Sequence, residues 1–433
     1  MSLNVIITLL MFVVILVLLL KNVSKPGVIF TGVPIIAALL MGFSLKDING
    51  FIGKGLQSIS GTTFLMVFAV MFFGMLHDAG VFKALIKFLT RFLKNSVPST
   101  IFIAQLISML TQLDSSGATT ALLTIPSMKP LFERQHIRME ALLLVESIGS
   151  GVLLLLPYMP GFVENTAYVN LDVYEAYQYM IPVLIFCVIA FLLLNIPLSM
   201  VEIRHGAGMT DEEFQKVKAE MDEPIDFKFG KGIAIFDGVF TLLMVALILA
   251  GKLPTNLGFG LGFVILLFVN YPKVNDQKEY IKRNAPTAFE MAFTMLGVGV
   301  LVGINGQTGA MNELADTIVA NLPTGSITWI LLVFCIFSLP LSMVFGNAKG
   351  AVLVPALVSV LAGSGLTPVQ IMPPTWAAGM VAANLSLFNA SPYLALGLAG
   401  VEMKDHLKYS FLPCWGFSIM TTVFMLLIGK LPL

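Results

Sequence analysis

The sequence predicts an all-α polytopic membrane protein built as two inverted repeats. Three observations lead there: an apolar composition, a block that recurs 229 residues further on, and a one-sided distribution of lysine and arginine. Of the 433 residues, 57% are hydrophobic and 12% charged, with a mean hydropathy of +0.90. A soluble domain carries roughly 25% charged residues, so this chain belongs in a lipid bilayer. Its formal net charge of zero offers no surface for nucleic acid. Cys187, Cys335 and Cys414 are too few and too scattered for a disulfide framework or a zinc site, and read as packing residues. His77, His136, His205 and His406 lack paired helical spacing, which leaves a hydrolytic or metal enzyme little support. No cofactor or resident metal is expected.

Apolar runs long enough to cross about 30 Å at about 1.5 Å per residue fall near 4–20, 27–43, 62–79, 138–163 and 178–200. A second set falls near 233–250, 256–272, 288–306, 373–398 and 409–428, giving five spans in each half. The first run has no basic leader and no small-residue cleavage site, so it reads as a retained helix. Between the third and fourth span of each half, at about 99–129 and 327–363, two short apolar pieces flank a polar break. Each piece is too short to cross alone. The economical reading is a re-entrant hairpin with its tip buried in protein or facing water. The domain organisation is therefore a first repeat over 1–200, a linker over 201–231 and a second repeat over 232–433.

The repeat itself rests on Phe64, Met66, Gly74, Gly80, Leu85, Leu93, Gly117 and Pro126, which return as Phe293, Met295, Gly303, Gly309, Leu314, Leu322, Gly346 and Pro355. Half of these pairs are glycine or proline, residues that set backbone geometry. With the N-terminus outside, twenty of the 25 lysines and arginines fall on cytoplasmic segments, while outer loops near Glu164, Asp172, Glu175, Glu313 and Asp316 are acidic. Ten crossings return the C-terminus to the outside as well. An odd number of spans per half turns the second copy over, so the two hairpins enter from opposite faces. Inverted repeats with broken helices at mid-membrane are the architecture of secondary transporters. Two further segments are organisational. Residues 80–94 place basic groups on one helical face and Phe/Leu on the other, as an interfacial helix does. In the linker, Thr210 to Glu213 is a capping-box pattern.

Half-helix N-termini point free N–H groups at anions, and both tips suit that use. The first, Asp114-Ser-Ser-Gly-Ala-Thr-Thr120, offers Ser115, Ser116, Gly117, Thr119 and Thr120 as substrate ligands. Asp114 either couples an ion or caps the half-helix beside Ser115; a charge at this depth costs about 2.5–3.5 kcal/mol, which a function would justify. In the second tip, Lys349 either binds a substrate carboxylate or neutralises Asp114 across the repeat interface. Asn347 is a donor to a carboxylate or a capping residue. The fourth spans break too, at Pro157 and Pro160 in the first half and at Asn389, Ser391 and Pro392 in the second, where helix hydrogen bonds must be interrupted. Asn389 and Ser391 join the substrate set. Glu146 is the other intramembrane carboxylate, either a proton carrier or a structural hydrogen-bonding group. His77 and Asp78 read as a structural cap, and His406 as interfacial.

At these residues the chain resembles the citrate–metal:proton symporter family, within the ion-transporter superfamily of carboxylate carriers. Leu113 to Thr120 followed by Ile125 and Pro126 is similar to that family's first tip, usually LDGDGATT. Gly397 to Glu402, then Asp405, His406 and Phe411, resembles its last broken helix. The resemblance implies a homodimeric carrier with scaffold and transport domains and elevator-type movement. Three positions depart from the pattern. Ser116 replaces the second acidic tip residue, Asn347 replaces an aspartate, and Pro157-Tyr-Met-Pro-Gly-Phe replaces a Pro-Trp-Gly-Gly-Pro-Thr-Ala-Arg run. Carboxylates for a divalent metal and an arginine for a carboxylate are gone, while Lys349 is gained.

The expectation is therefore a symporter of the inner (plasma) membrane. It carries a small organic anion, a di- or tricarboxylate such as citrate free of metal, coupled to protons through Asp114 and Glu146. Coupling to sodium is the alternative. A cation/proton antiporter and an anion channel are the other readings; Lys349 disfavours the first, and hairpins are superfluous to the second.

Overall fold

The computed structural model describes residues 3–21, 23–221, 224–225, 227–309, 313, 326–345, 349–386 and 390–432. Every regular element among them is helical. The first half holds α1 (Leu3–Leu20), α2 (Pro26–Leu40), α3 (Leu45–Asp78), α4 (Val81–Thr90), α5 (Val97–Gln112) and α6 (Gly117–Arg134), then α7 (Met139–Leu153), α8 (Pro160–Tyr168), α9 (Val173–Leu193) and α10 (Asn195–Arg204). After α11 (Asp211–Glu220) come α12 (Lys231–Leu249), α13 (Thr255–Asn270), α14 (Val274–Thr308), α15 (Ser326–Ile336) and α16 (Ser338–Phe345). A π-helical turn (Lys349–Leu353) leads into α17 (Val354–Ala362), followed by α18 (Pro368–Ala377), a 3₁₀ turn (Met380–Leu385), α19 (Ala390–Ala399) and α20 (Met403–Leu427).

Among the described residues, five helical stretches are long and apolar enough to cross a membrane: α3, α9 with α10, α12, α14 and α20. α1, α2, α5 and α13 are apolar but shorter, and the segments on either side of residues 346–348 are bent by 114°. The outward faces are apolar: Ile36, Leu242, Leu243, Phe268, Phe289 and Leu427 are all exposed. In water such a surface would aggregate; against lipid tails it is at home. The chain is a multi-pass membrane protein.

α3 and α14 start well before the apolar runs that announce them, at 45 rather than 62 and at 274 rather than 288. Hydropathy discards these polar approaches, but packing keeps them helical, because the two helices lie against each other along their length. The crossing is glycine-lined. A Cβ on Gly55 would lie 1.9 Å from the Gly299 carbonyl oxygen, and one on Gly303 would lie 2.2 Å from that of Phe51. Any larger residue must push the helices apart. Behind this pair, α13 packs on α3, and the rings of Phe72, Phe73, Tyr158 and Phe259 form a knot with centroids 5.1–5.6 Å apart. A second group of contacts joins α5, α6, α7, α19 and α20 around the 3₁₀ turn. That group holds the first break.

Charges at the helix ends are compensated. Asp78, at the end of α3, accepts from Tyr271 and Arg283 and pairs with Lys228 at 3.2 Å, a structural role that ties α3 to the ends of its neighbours. Glu202 is fully buried in α10, yet it pairs with Arg138 at 2.6 Å and accepts from the Tyr409 hydroxyl at 2.7 Å. In the linker, Thr210 and Glu213 close the expected capping box at the start of α11. α4 lies between α3 and α5 with Phe82 buried and Phe88 exposed.

Candidate functional site

The first break separates α5 from α6. The chain turns back on itself there, since Thr111 and Thr124 hydroxyls are 3.0 Å apart and Thr120 donates to Gln112 Oε1 at 2.8 Å. These four side chains are buried, and Thr120 bonds across the turn. Asp114 is 9% exposed, and its Oδ1 accepts from the Ser116 N–H at 2.9 Å, an Asx-type turn. Ser115 adopts a left-handed conformation at φ +63°, which a non-glycine residue holds only where surroundings enforce it. Ser116 caps α6, accepting from the Thr119 N–H at 3.2 Å. α6 runs unbroken past Pro126 and Pro130 to Arg134. Gly117 abuts α19: a Cβ there would lie 2.7 Å from Ser391 Oγ.

Behind this contact lies Glu146, fully buried on α7. Its Oε2 accepts from Asn384 Nδ2 at 2.8 Å, and the same amide donates to Ser150 Oγ at 3.0 Å. Ser391 Oγ donates to Asn384 Oδ1 at 3.4 Å, so Glu146 is linked through one amide to the residue that touches the first break. Among the described residues, Glu146 Oε1 has no partner. A buried, unpaired carboxylate oxygen is costly unless a proton or an ion sits on it. Asn384 is missing from the sequence-based set because only the 3₁₀ turn aims it at α7. Its signal was faint: an amide in the same apolar span as Asn389. His406, in the first turn of its helix at the end of a span, is enclosed by protein: it is 2% exposed, with Nε2 3.3 Å from the Asn384 carbonyl and Nδ1 3.1 Å from Ser410 Oγ. α20 begins at Met403, which carries His406 under the turn.

Lys349 opens the π-helical turn beyond the second break and is buried. Its ammonium donates to Ser338 Oγ, to Ser342 Oγ at 3.0 Å and to the Thr375 carbonyl at 3.1 Å. No ion pair joins it to Asp114 among the described residues; each charge is met by its own neighbours. Asn347 and Asn389 lie outside the described residues. Glu164, read from the sequence as part of an outer loop, instead sits on α8. It lines a cavity of about 70 Å³ with Asn165, Ser342, Lys349 and Gly379. The shift follows from Pro157 and Pro160, which end α7 early and restart the chain as α8 with Pro160 at its first turn. Trp376 Nε1 donates to the Leu154 carbonyl freed by that break, at 3.0 Å. Pro392 falls in the first turn of α19, where a missing N–H costs nothing. The larger hollows, of about 570 and 580 Å³, lie away from the breaks, one beside the α12–α13 loop and one under α4.

A buried carboxylate, hydroxyl-rich helix breaks and lipid-facing helices describe a membrane protein that handles a charged solute within its core. The chain belongs to the citrate transporter family, whose model matches residues 2–379. It is a transporter and not an enzyme. It is 26% identical over 97% of its length to the protein named "Citrate transporter" of Bacillus subtilis (strain 168), covering 97% of that protein. It is 25% identical to the "Mg(2+)/citrate complex secondary transporter" of the same organism, over 92% of each chain. Among solved structures, the YdaH transporter of Alcanivorax borkumensis shares the fold with a TM-score of 0.63 at 14% identity, over 90% of this chain and 91% of that one. MtrF of Neisseria gonorrhoeae does so with a TM-score of 0.56 at 12% identity, over 88% and 85%.

Proposed function

We propose that this chain is a secondary active symporter of a small organic anion, a di- or tricarboxylate with citrate foremost, driven by protons. One observation carries the coupling. Glu146 has a buried oxygen with no partner among the described residues and is one amide away from the seryl group that touches the first break. A proton on that oxygen satisfies it, and its loss would be felt at Ser391 and Gly117. Asp114 is the second coupling group, its turn directly preceding the helix that Ser116 caps.

The substrate seat in this proposal lies between the two breaks. It uses Ser115, Ser116, Gly117 and Thr119 from the first, Ser391 from α19, and the two asparagines Asn347 and Asn389 outside the described residues. Thr120 and Lys349 act from behind. The names of the two Bacillus relatives support a citrate-like cargo. A cavity of about 70 Å³ beside Lys349 is far below the roughly 300 Å³ of a ligand pocket, so loading requires the breaks to part. The inverted repeats over 1–200 and 232–433, joined by the 201–231 linker, would supply that motion as an elevator in a plasma-membrane homodimer with both termini outside. A divalent metal would travel only as cargo on the substrate, and we take the free anion as substrate. Among the described residues no three His, Cys, Asp or Glu side chains converge on one point.

Sodium coupling is the second reading, favoured by the hydroxyls and carbonyls of the first break, which suit a hard cation. Uptake of labelled citrate into proteoliposomes under separately imposed proton and sodium gradients, with and without Mg²⁺, decides between them. Accumulation should follow the proton gradient and be indifferent to sodium and Mg²⁺. Accumulation on sodium alone, or strict dependence on Mg²⁺, would overturn it. Non-saturating flux without counterflow would make the protein a channel.

A further inference from the structure

We infer that the Lys349 ammonium occupies a monovalent-cation site within the second break, as a covalently tethered cation in an oxygen cage. An ammonium has three N–H donors, and here all three are spent on neutral oxygens. Ser338 Oγ and Ser342 Oγ come from successive turns of α16, and the third is the Thr375 carbonyl on α18. Ser338 in turn donates to that carbonyl at 2.8 Å, which fixes the geometry of two of the three ligands.

Two features separate this arrangement from an ordinary buried lysine. A buried lysine is normally paired with a carboxylate. Lys349 has no acid within ion-pair distance among the described residues; Glu164 lines the same cavity but stands off. Hydroxyl and carbonyl oxygens around a single positive centre are the donor set that hard cations take. The site is also cut to size. A Cβ on Gly379 would lie 2.5 Å from Lys349 Nζ and 2.7 Å from both seryl oxygens, so a larger residue there would have to displace the cage's own side chains.

The consequence concerns coupling and rests, for its transport meaning, on the carrier reading above. A cation tethered to the chain would fill the cage without consuming an ion from solution. The first break keeps the exchangeable partner. Removing the lysine should then empty the cage and expose a requirement for an external cation.

The test compares wild type, Lys349→Ala and Lys349→Ala/Ser342→Ala, purified in detergent, by thermal unfolding in choline, sodium or methylammonium chloride at constant ionic strength. Wild type should melt at one temperature in all three. Lys349→Ala should gain about 2 °C or more in sodium or methylammonium over choline, and the double variant should lose that gain. Lys349→Gln, whose amide ends one bond short of the ammonium position, should gain less than Lys349→Ala, because its head takes up part of the cage. Equal melting of Lys349→Ala in all three salts overturns the proposal. So does aggregation of both single variants in every salt, since a site that accepts no replacement cation is not a cation site. These readouts need no substrate. Labelled-citrate uptake is run alongside: if wild type fails to transport citrate, the functional reading falls while the melting comparison still judges the cage.

Discussion

Asp114 is held by its own loop, through the Ser116 N–H and a turn in which Ser115 is left-handed, whereas Lys349 is held by oxygens from α16 and α18. A charge satisfied within its loop travels with that loop, and its environment changes when the loop moves. A charge caged by other helices keeps its environment as long as those helices move together. The first break is therefore suited to an event that recurs each cycle, such as protonation or ligand contact. The second is suited to a constant. Glu146 belongs with the first, because its orphan oxygen leaves one step of satisfaction unfilled.

The sharpest way to break this contrast is Glu146→Gln. The amide keeps an acceptor for Asn384 Nδ2 and removes the titratable oxygen, so the fold should hold. One pH unit is worth about 1.36 kcal/mol per coupled proton, a factor of ten. Under a gradient of about two pH units, accumulation of labelled citrate should therefore fall about 100-fold for each proton lost, while substrate counterflow at equal pH persists. If accumulation is undiminished, Glu146 is structural and the first break loses its coupling group.

At the second break the expected effect is on stability. Ser338→Ala/Ser342→Ala leaves a buried ammonium with the Thr375 carbonyl alone. Hydrogen bonds to charged groups are worth roughly 1.5–3 kcal/mol each, so the double variant should lose about 3–5 kcal/mol, read as a lowered denaturation midpoint. A near-neutral result would mean that water replaces the hydroxyls and the cage is open.

A smaller effect tests whether the first break depends on the close contact of α6 with α19. Gly117→Ala places a Cβ 2.7 Å from Ser391 Oγ, tighter than real contacts allow. Uptake should drop about tenfold, corresponding to about 1.4 kcal/mol of misplacement. Ser391→Gly in the same chain should restore the space but forfeit the bond to Asn384, giving partial rescue and a measurable coupling between the two sites. Additive losses would show that the contact is incidental.

What the sequence revealed follows this same division. The first break is legible because it is local, its polar run Asp114 to Thr120 standing inside an apolar stretch, but the cap falls to Ser116 rather than to Asp114 and Ser115. Lys349 was legible as a charge at depth, but its partners were not. Ser338 and Ser342 look like ordinary hydroxyls in an apolar helix, and Thr375 contributes only a backbone oxygen. Asn384 and His406 were hidden for a related reason, since a 3₁₀ turn and the start point of α20 decide where they point. Opposite charge at matching depth permits a pairing of Asp114 with Lys349 as readily as a substrate carboxylate on Lys349, and the geometry gives each charge its own neighbours. The starts of α3 and α14 escaped because their polar approaches are stabilised by each other across Gly55 and Gly303, a contact no local pattern encodes.

Tyr158 offers the finest probe of the comparison. Its ring is clamped between Phe73 and Phe259, at 5.6 and 5.1 Å, and the residue is fully buried, yet its hydroxyl has no partner among the described residues. Tyr158→Phe keeps every ring contact and removes an unsatisfied polar atom, so it should be neutral or stabilising by up to about 1 kcal/mol. That is the outcome if the hydroxyl is idle throughout the cycle. A hydroxyl that becomes a ligand when the breaks part would behave differently: stability would rise as before, but the KM for citrate would rise with it while the maximal rate stayed level. The combination of a stabler fold and weaker binding would place Tyr158 with Glu146, as a group left unsatisfied in the closed form because its partner arrives with the substrate.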